Sequence, residues 1–151
     1  MSAGYTRGRV PVPGTATLVL DTNIVLDLLV FEDPAVHKLR EALESGSVCW
    51  LATAAMRDEL ARVLDYPHIV PHLCALGKTN AHVLARFDAL RQAVPPAVQA
   101  PVRCSDFDDQ MFINLAVTHQ ANLLSKDHAV LRLRKRLAAL GARVGKVWPP
   151  A

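Results

Sequence analysis

Short apolar runs alternate with helical apolar patterns along this chain, and together they predict an α/β fold. The first run, TLVL at residues 17–20, is typical of a fully buried strand. Similar runs follow in VCWL at 48–51, in NLLS at 122–125 and near Val144–Val147. Since strands that alternate with helices form parallel sheets, the pattern predicts a three-layer α/β/α domain with a central, mainly parallel sheet.

Apolar residues spaced three and four apart predict helices between these runs. The first predicted helix follows the first strand and runs to about Phe31. The others lie, in chain order, over 35–44, about 53–65, 68–76, 80–93, 108–119 and 128–140. Thr53 is the predicted cap of the helix over about 53–65, and Asp106 that of the helix over 108–119. The segment VPPAVQAP predicts a loop, because its prolines exclude regular structure.

Composition narrows the class of protein. The chain has 151 residues, 51% of them hydrophobic, which suits one domain with a real core. Residues 1–15, rich in Gly and Pro, predict a flexible N-terminal tail, and residues 16–151 predict a single domain. No apolar run approaches the about 18 residues of a membrane span and no signal peptide is evident, so we expect a cytoplasmic protein without a membrane partner. Three scattered cysteines show neither zinc nor disulfide spacing, and a net charge of +3 permits an RNA partner.

Two aspartates follow predicted strands. Asp21 ends the first run within Asp-Thr-Asn, and Asp127 follows NLLS with Ser125 two residues earlier. Taken singly, each aspartate is a good helix N-cap. Taken together, they lie at the carboxyl ends of two parallel strands, where open α/β sheets bind their ligands.

An acid also falls inside the apolar stripe of the helix TAAMRDELARVLD. The stripe consists of Ala55, Met56, Leu60, Val63 and Leu64. Glu59 lies within it, and a carboxylate that faces a core is costly unless its charge is compensated. The alternative is a glutamate at the edge of the stripe or one paired with a buried arginine.

Three more acids crowd the start of a predicted helix in CSDFDDQMFINLA. Asp106 is a good cap, and acids at a helix N-terminus interact favourably with its dipole. Asp109 shares a helix face with Ile113, and Asp108 shares one with Met111. Periodicity does not choose between Asp108 and Asp109 as the inward acid.

Four carboxylates therefore converge if the predicted sheet forms. Like charges a few ångströms apart force protons onto some of the acids unless a cation compensates them. Mg²⁺ or Mn²⁺ suits carboxylate and water ligands, and the absence of Cys and His from the set argues against zinc. Such sites typically hydrolyse phosphodiesters. Whether one or two ions bind is left open.

The ordered motifs resemble those of the PIN-domain nucleases. Asp21-Thr22-Asn23 after a strand resembles that family's first motif, the acid of MRDELARVL its second, DDQMFINLA its third and LLSKD its fourth. The resemblance covers about residues 17–147, in the family's order and spacing. It implies a metal-dependent nuclease of the three-layer α/β/α type.

Carried over position by position, the resemblance implies a set of roles. The catalytic and metal-binding acids are Asp21, Glu59, Asp109 and Asp127, the supporting residues are Asn23 and Ser125, and further candidates are Asp106, Asp108 and Lys126. Ala116, aligned with a small residue of the third motif, selects Asp109 over Asp108. Ser125 stands where the family commonly has Thr, and it keeps the hydroxyl.

Within the family, the short single-domain form resembles bacterial toxins of toxin–antitoxin pairs (VapC-like). This resemblance implies an endoribonuclease acting on RNA, held inactive by a small antitoxin, and a homodimer. Two other functions stay open. One is a non-catalytic RNA-binding or scaffold module with a vestigial acidic site. The other is an aspartate-based phosphotransfer protein, which usually needs Asp-x-Asp where this chain has Asn23.

Basic and histidine residues outside the four motifs have weaker signals. Arg132, Arg134, Lys135 and Arg136 form either a solvated helix face or an RNA-binding surface. His68 and His72 are four residues apart without a third ligand nearby, so we interpret them as surface or capping residues.

Overall fold

Five parallel strands form the central sheet of the computed structural model, which describes residues 15–150. In chain order they are β1 (Ala16–Leu20), β2 (Val48–Ala52), β3 (Arg91–Ala93), β4 (Asn122–Leu124) and β5 (Arg143–Gly145). Every neighbouring pair is parallel. The predicted three-layer α/β/α fold is thereby confirmed. Nearly all of the predicted N-terminal tail lies outside the described residues.

Eight α-helices connect and cover the strands in the described range. They are α1 (Thr22–Leu26), α2 (His37–Ser45), α3 (Ala54–Leu64), α4 (Val70–Ala75), α5 (Asn80–Leu90), α6 (Gln110–His119), α7 (His128–Leu131) and α8 (Arg134–Ala139). A π-helix, Asp27–Phe31, continues α1, and 3-10 turns at Pro34–Val36 and Phe107–Asp109 lead into α2 and α6. Thr53 caps α3 as predicted, because its hydroxyl accepts a bond of 3.3 Å from the Met56 amide.

The predicted helix over 80–93 is wrong at its end, where Arg91–Ala93 forms the edge strand β3. The segment pairs with the edge of β2 instead of continuing the helix, and Arg91 lies opposite Trp50. The Arg91 guanidinium also donates to the Ala52 carbonyl at 3.2 Å, which ties the segment to the sheet.

The C-terminal predictions also need correction. The helix predicted over 128–140 is two short helices, because the chain turns at Arg132 and Leu133 to bury Leu133. The last strand ends at Gly145, not at Val147, since its partner β4 ends at Leu124 opposite Gly145. Val147 is 48% exposed.

The strand order β3-β2-β1-β4-β5 places a topological switch point between β1 and β4. From β1 the chain builds the sheet in one direction through β2 and β3, and then returns to the other side of β1 with β4. Connections that leave a sheet in opposite directions open a crevice at the carboxyl ends of the two strands. Asp21 lies there, and its amide donates to the Leu124 carbonyl at 3.1 Å. The fold therefore brings the motifs after β1 and β4 side by side.

Candidate active site

Asp21 is held rigidly at the end of β1. The residue is only 3% exposed, and Oδ1 caps α1 by accepting a bond of 3.0 Å from the Ile24 amide. Oδ2 accepts a very short bond from the Ser125 hydroxyl. Burial raises the pKa of Asp21, and the bonds from Ser125 and Ile24 oppose that rise. Both carboxylate oxygens are therefore fixed before any ligand arrives.

Ser125 orients two acids with one side chain. It is fully buried after β4, and while its hydroxyl donates to Asp21 it accepts a bond of 3.0 Å from the Asp127 amide. Asp127 in turn caps α7, accepting a bond of 2.8 Å from the Ala129 amide. The sequence-predicted support residue thus lies between the acid that follows β1 and the acid that follows β4.

Three aspartates offer oxygen atoms that all lie within 4.8 Å of one another: Asp106, Asp109 and Asp127. Asp109 contacts Asp127 and is half-buried, whereas Asp108 is exposed. Burial, with the contact and the charge of Asp127, raises the pKa of Asp109 to about 8. The same contact lowers the pKa of Asp127. Without a cation the pair is therefore expected to share a proton at neutral pH.

One oxygen of Asp109 has no partner. Oδ2 is buried and accepts no hydrogen bond from any described residue. Buried carboxylate oxygens nearly always have partners, so an orphan of this kind needs an explanation such as an ion. Oxygen donors at this spacing fit a hard divalent cation.

Glu59 reaches the same cleft from α3. It is half-buried at the edge of the apolar stripe, and Oε2 accepts a bond of 2.5 Å from the Thr22 hydroxyl. The stripe is narrower than predicted, because Ala55 is exposed while Met56, Leu60 and Leu64 are buried. Glu59 lies outside the close cluster of three aspartates but lines the cleft with them.

The cleft has a volume of about 640 Å³. It contains the predicted site residues Asp21, Asn23, Glu59, Asp106, Asp108, Asp109, Lys126 and Asp127. Lys126 forms an ion pair of 2.5 Å with Asp27. The basic residues from Arg132 to Arg136 do not line this cleft.

Sequence reasoning missed the other wall of the cleft. Arg62, Tyr66, His68 and His72 all line it. The two histidines are exposed, as expected for surface residues, but they border the site; the His72 ring packs edge-on to Phe31 with centroids 5.1 Å apart. In the sequence, the one indication that these histidines border the site is their position just after α3, the helix of Glu59. That indication is weak, because the sequence does not say where α4 packs.

The all-parallel α/β sheet thus has its carboxylate cleft at the switch point, which is where open α/β sheets bind their ligands. Residues 17–129 match the sequence model of the PIN domain. The chain therefore belongs to the PIN-domain family, whose members are generally nucleases, and the predicted family is confirmed. No curated protein matches the chain with significant similarity. Between residues 15 and 150, no helix is long and apolar enough to cross a membrane.

Proposed function

We propose that the protein is an endoribonuclease that depends on Mg²⁺ or Mn²⁺. The observation that supports this most strongly is the orphaned Oδ2 of Asp109 inside a cluster of three aspartates. The pKa of the same acid rises to about 8 because it is buried beside Asp127. Perturbed acids that converge in a cleft are typical of functional sites.

Asp21, Glu59, Asp109 and Asp127 would hold the ion together with Asp106, whose carboxylate lies in the close cluster with Asp109 and Asp127. Asp108 lines the same cleft. The bound ion supplies a Lewis acid that activates water and neutralises charge on the scissile phosphate. Attack of water on phosphorus in line with the 3′-oxygen breaks the P–O3′ bond. The products are a 5′-phosphate and a 3′-hydroxyl, and the leaving oxygen gains a proton.

The chain's own residues prepare this site by fixing the acids. Ser125 orients Asp21 and Asp127 through its hydroxyl, and Thr22 orients Glu59. Such bonds reduce the reorganisation that binding and catalysis require. Asn23, exposed at the start of α1 within the cleft, would orient water or substrate.

The test is cleavage of a structured RNA by purified protein with Mn²⁺, with Mg²⁺ and with EDTA. Cleavage should require a metal, and Asp21→Asn and Glu59→Gln should each reduce it at least about 100-fold. Asp58→Asn is the matched control on α3, because Asp58 is exposed and does not line the cleft. A well-folded protein that binds no Mn²⁺ and cleaves no RNA would refute the proposal and favour a non-catalytic binding module.

A toxin role in the cytoplasm, with a small antitoxin and a homodimer, is part of the same proposal. Its support is the VapC-like resemblance together with exposed apolar side chains beside α4. Tyr66, Val70 and Leu76 are 44%, 41% and 49% exposed. Light scattering should show a dimer, and expression should arrest growth unless Asp21 is replaced by Asn. A monomer whose expression is harmless would contradict this part alone.

A further inference from the structure

A second groove adjoins the acidic cleft beyond Asp127. It has a volume of about 690 Å³ and lies between α7, the start of α8 and the end of β5. Consecutive residues line the two, because Asp127 lines the cleft and the next residue, His128, lines the groove. They are opposite in charge: no described carboxylate lines the groove.

Cationic side chains stand on both walls of this groove. Arg132 and Arg134 line it from the helical side and Lys146 from the strand side, and all three are exposed. None forms an ion pair with a described residue. Lys78 and Lys126, in contrast, are used within the protein for ion pairs. The groove therefore presents three cations that form no ion pair among the described residues, although the charge of Arg132 also acts on Asp127 and lowers its pKa.

The floor of the groove is apolar. Leu131, Val144 and Val147 line it, and Val147 is 48% exposed although it is aliphatic. A base has an apolar face and a phosphate is an anion, so an apolar floor between cationic walls is complementary to a nucleotide. A simple anion would need the walls but not the floor.

The groove is mechanically tied to the acids. Gly145, part of its lining, accepts a bond of 3.0 Å from the Ser125 amide. The Ser125 hydroxyl holds Asp21 and supports Asp127. Residues that position the groove and residues that position the acids thus belong to one hydrogen-bonded unit.

We propose that this groove is an RNA subsite that holds a nucleotide flanking the scissile bond. Arg132 and Arg134 contact phosphate from one wall and Lys146 from the other, while the base packs on the apolar floor. The proposal rests on the proposed function for its substrate. The proposal separates the basic residues 132–136 into two pairs. Lys135 and Arg136 are exposed on α8 but do not line the groove. We therefore expect no specific contact between these two residues and RNA.

The test compares two double variants of equal charge, Arg132→Ala/Arg134→Ala and Lys135→Ala/Arg136→Ala. Binding of a short fluorescent single-stranded oligoribonucleotide is measured by anisotropy over a range of salt concentrations, in EDTA so that no cleavage occurs. Each lost phosphate contact lowers the slope of log K against log salt by about 0.7, so the first variant should lose about 1.4. The second should keep the wild-type slope. Equal effects of the two variants, or no effect of either, would overturn the proposal.

A second pair of variants tests the opposite wall. Lys146→Glu should weaken binding strongly, whereas Arg143→Glu should not, because Arg143 is exposed on β5 outside the groove. Val147→Ser should weaken binding at every salt concentration without changing the slope. Unchanged binding in Lys146→Glu would also overturn the proposal.

Failure of the subsite and failure of the nuclease are distinguishable. If the wild type cleaves RNA with Mn²⁺ but the groove variants bind normally, the subsite is wrong and the nuclease stands. If the groove variants lose binding while no condition gives cleavage, the subsite stands and the catalytic proposal fails.

Discussion

Replacing Asp109 with Asn should stabilise the metal-free protein near pH 8 and abolish its activity. The carboxyl group of Asp109 has a pKa of about 8 in the folded chain, chiefly because it is buried and then because Asp127 contacts it. In the unfolded chain the same group has its ordinary pKa of 3.8. Between these values the folded protein binds a proton that the unfolded protein has released. The free energy of unfolding therefore falls as the pH rises from about 4 to 8.

The magnitude follows from the two pKa values. A rise from 3.8 to about 8 corresponds to about 6 kcal/mol at about 1.4 kcal/mol per pKa unit. The net effect is smaller, because the same contact lowers the pKa of Asp127 and because water in the open cleft screens the pair. We expect Asp109→Asn to be more stable than the wild type by about 1–3 kcal/mol at pH 8 in EDTA. The two proteins should converge near pH 4.

Denaturant unfolding in EDTA across this pH range measures the difference. Asp108→Asn is the matched control, since it removes an exposed aspartate from the same turn. Added Mn²⁺ should reverse the order, because an ion that binds only the folded wild type stabilises it by mass action. A variant whose stability advantage is the same at pH 4 and pH 8, or is absent at both, would refute the reasoning.

Two further substitutions test the supports of the site and of the fold. Ser125→Ala should leave a folded protein but reduce Mn²⁺ affinity and cleavage about 10–100-fold, because Asp21 and Asp127 lose their common support; unchanged calorimetric Mn²⁺ binding would contradict this role. Lys78→Met should destabilise the protein by about 1–3 kcal/mol, because the ammonium donates bonds of 3.1 and 2.8 Å to the carbonyls of Leu29 and Val30 at the end of the π-helix. The thermal midpoint measures this loss, and a midpoint equal to that of the wild type would show that water satisfies both carbonyls.

The strands that carry the acids could be read from the sequence because each signal there is local. Asp21 directly follows TLVL and Asp127 lies two residues after NLLS, and buried parallel strands have no polar alternation to obscure them. The family resemblance added the order of the motifs. The choice of Asp109 over Asp108 came from that resemblance and stays a prediction. In the structure Asp109 contacts Asp127, and Asp108 is exposed in the same cleft.

The features that could not be predicted from the sequence depend on contacts between segments that are distant in the chain. Whether Arg91 continues α5 or joins the sheet is decided by the free edge of β2, 39 residues earlier at Ala52. Similarly, the sequence does not reveal that Lys126, which lies between two motif residues, forms an ion pair with Asp27 on the π-helix. No local pattern reports either contact. The groove beside Asp127 is of the same kind, because its two walls come from α7 and from the end of β5.

Asp21, at the junction of β1 and α1, shows why capping and ligand binding do not compete at this site. A carboxylate has two oxygens, and in Asp21 one caps α1 while the other accepts from Ser125. Each oxygen keeps a further lone pair that can face the cleft, so the capping bonds orient the acid without consuming it. Asparagine at position 21 keeps the capping oxygen but loses the charge and one acceptor. We therefore expect Asp21→Asn to keep the cap of α1 and to lose the charge and the second acceptor, which we assign to metal binding.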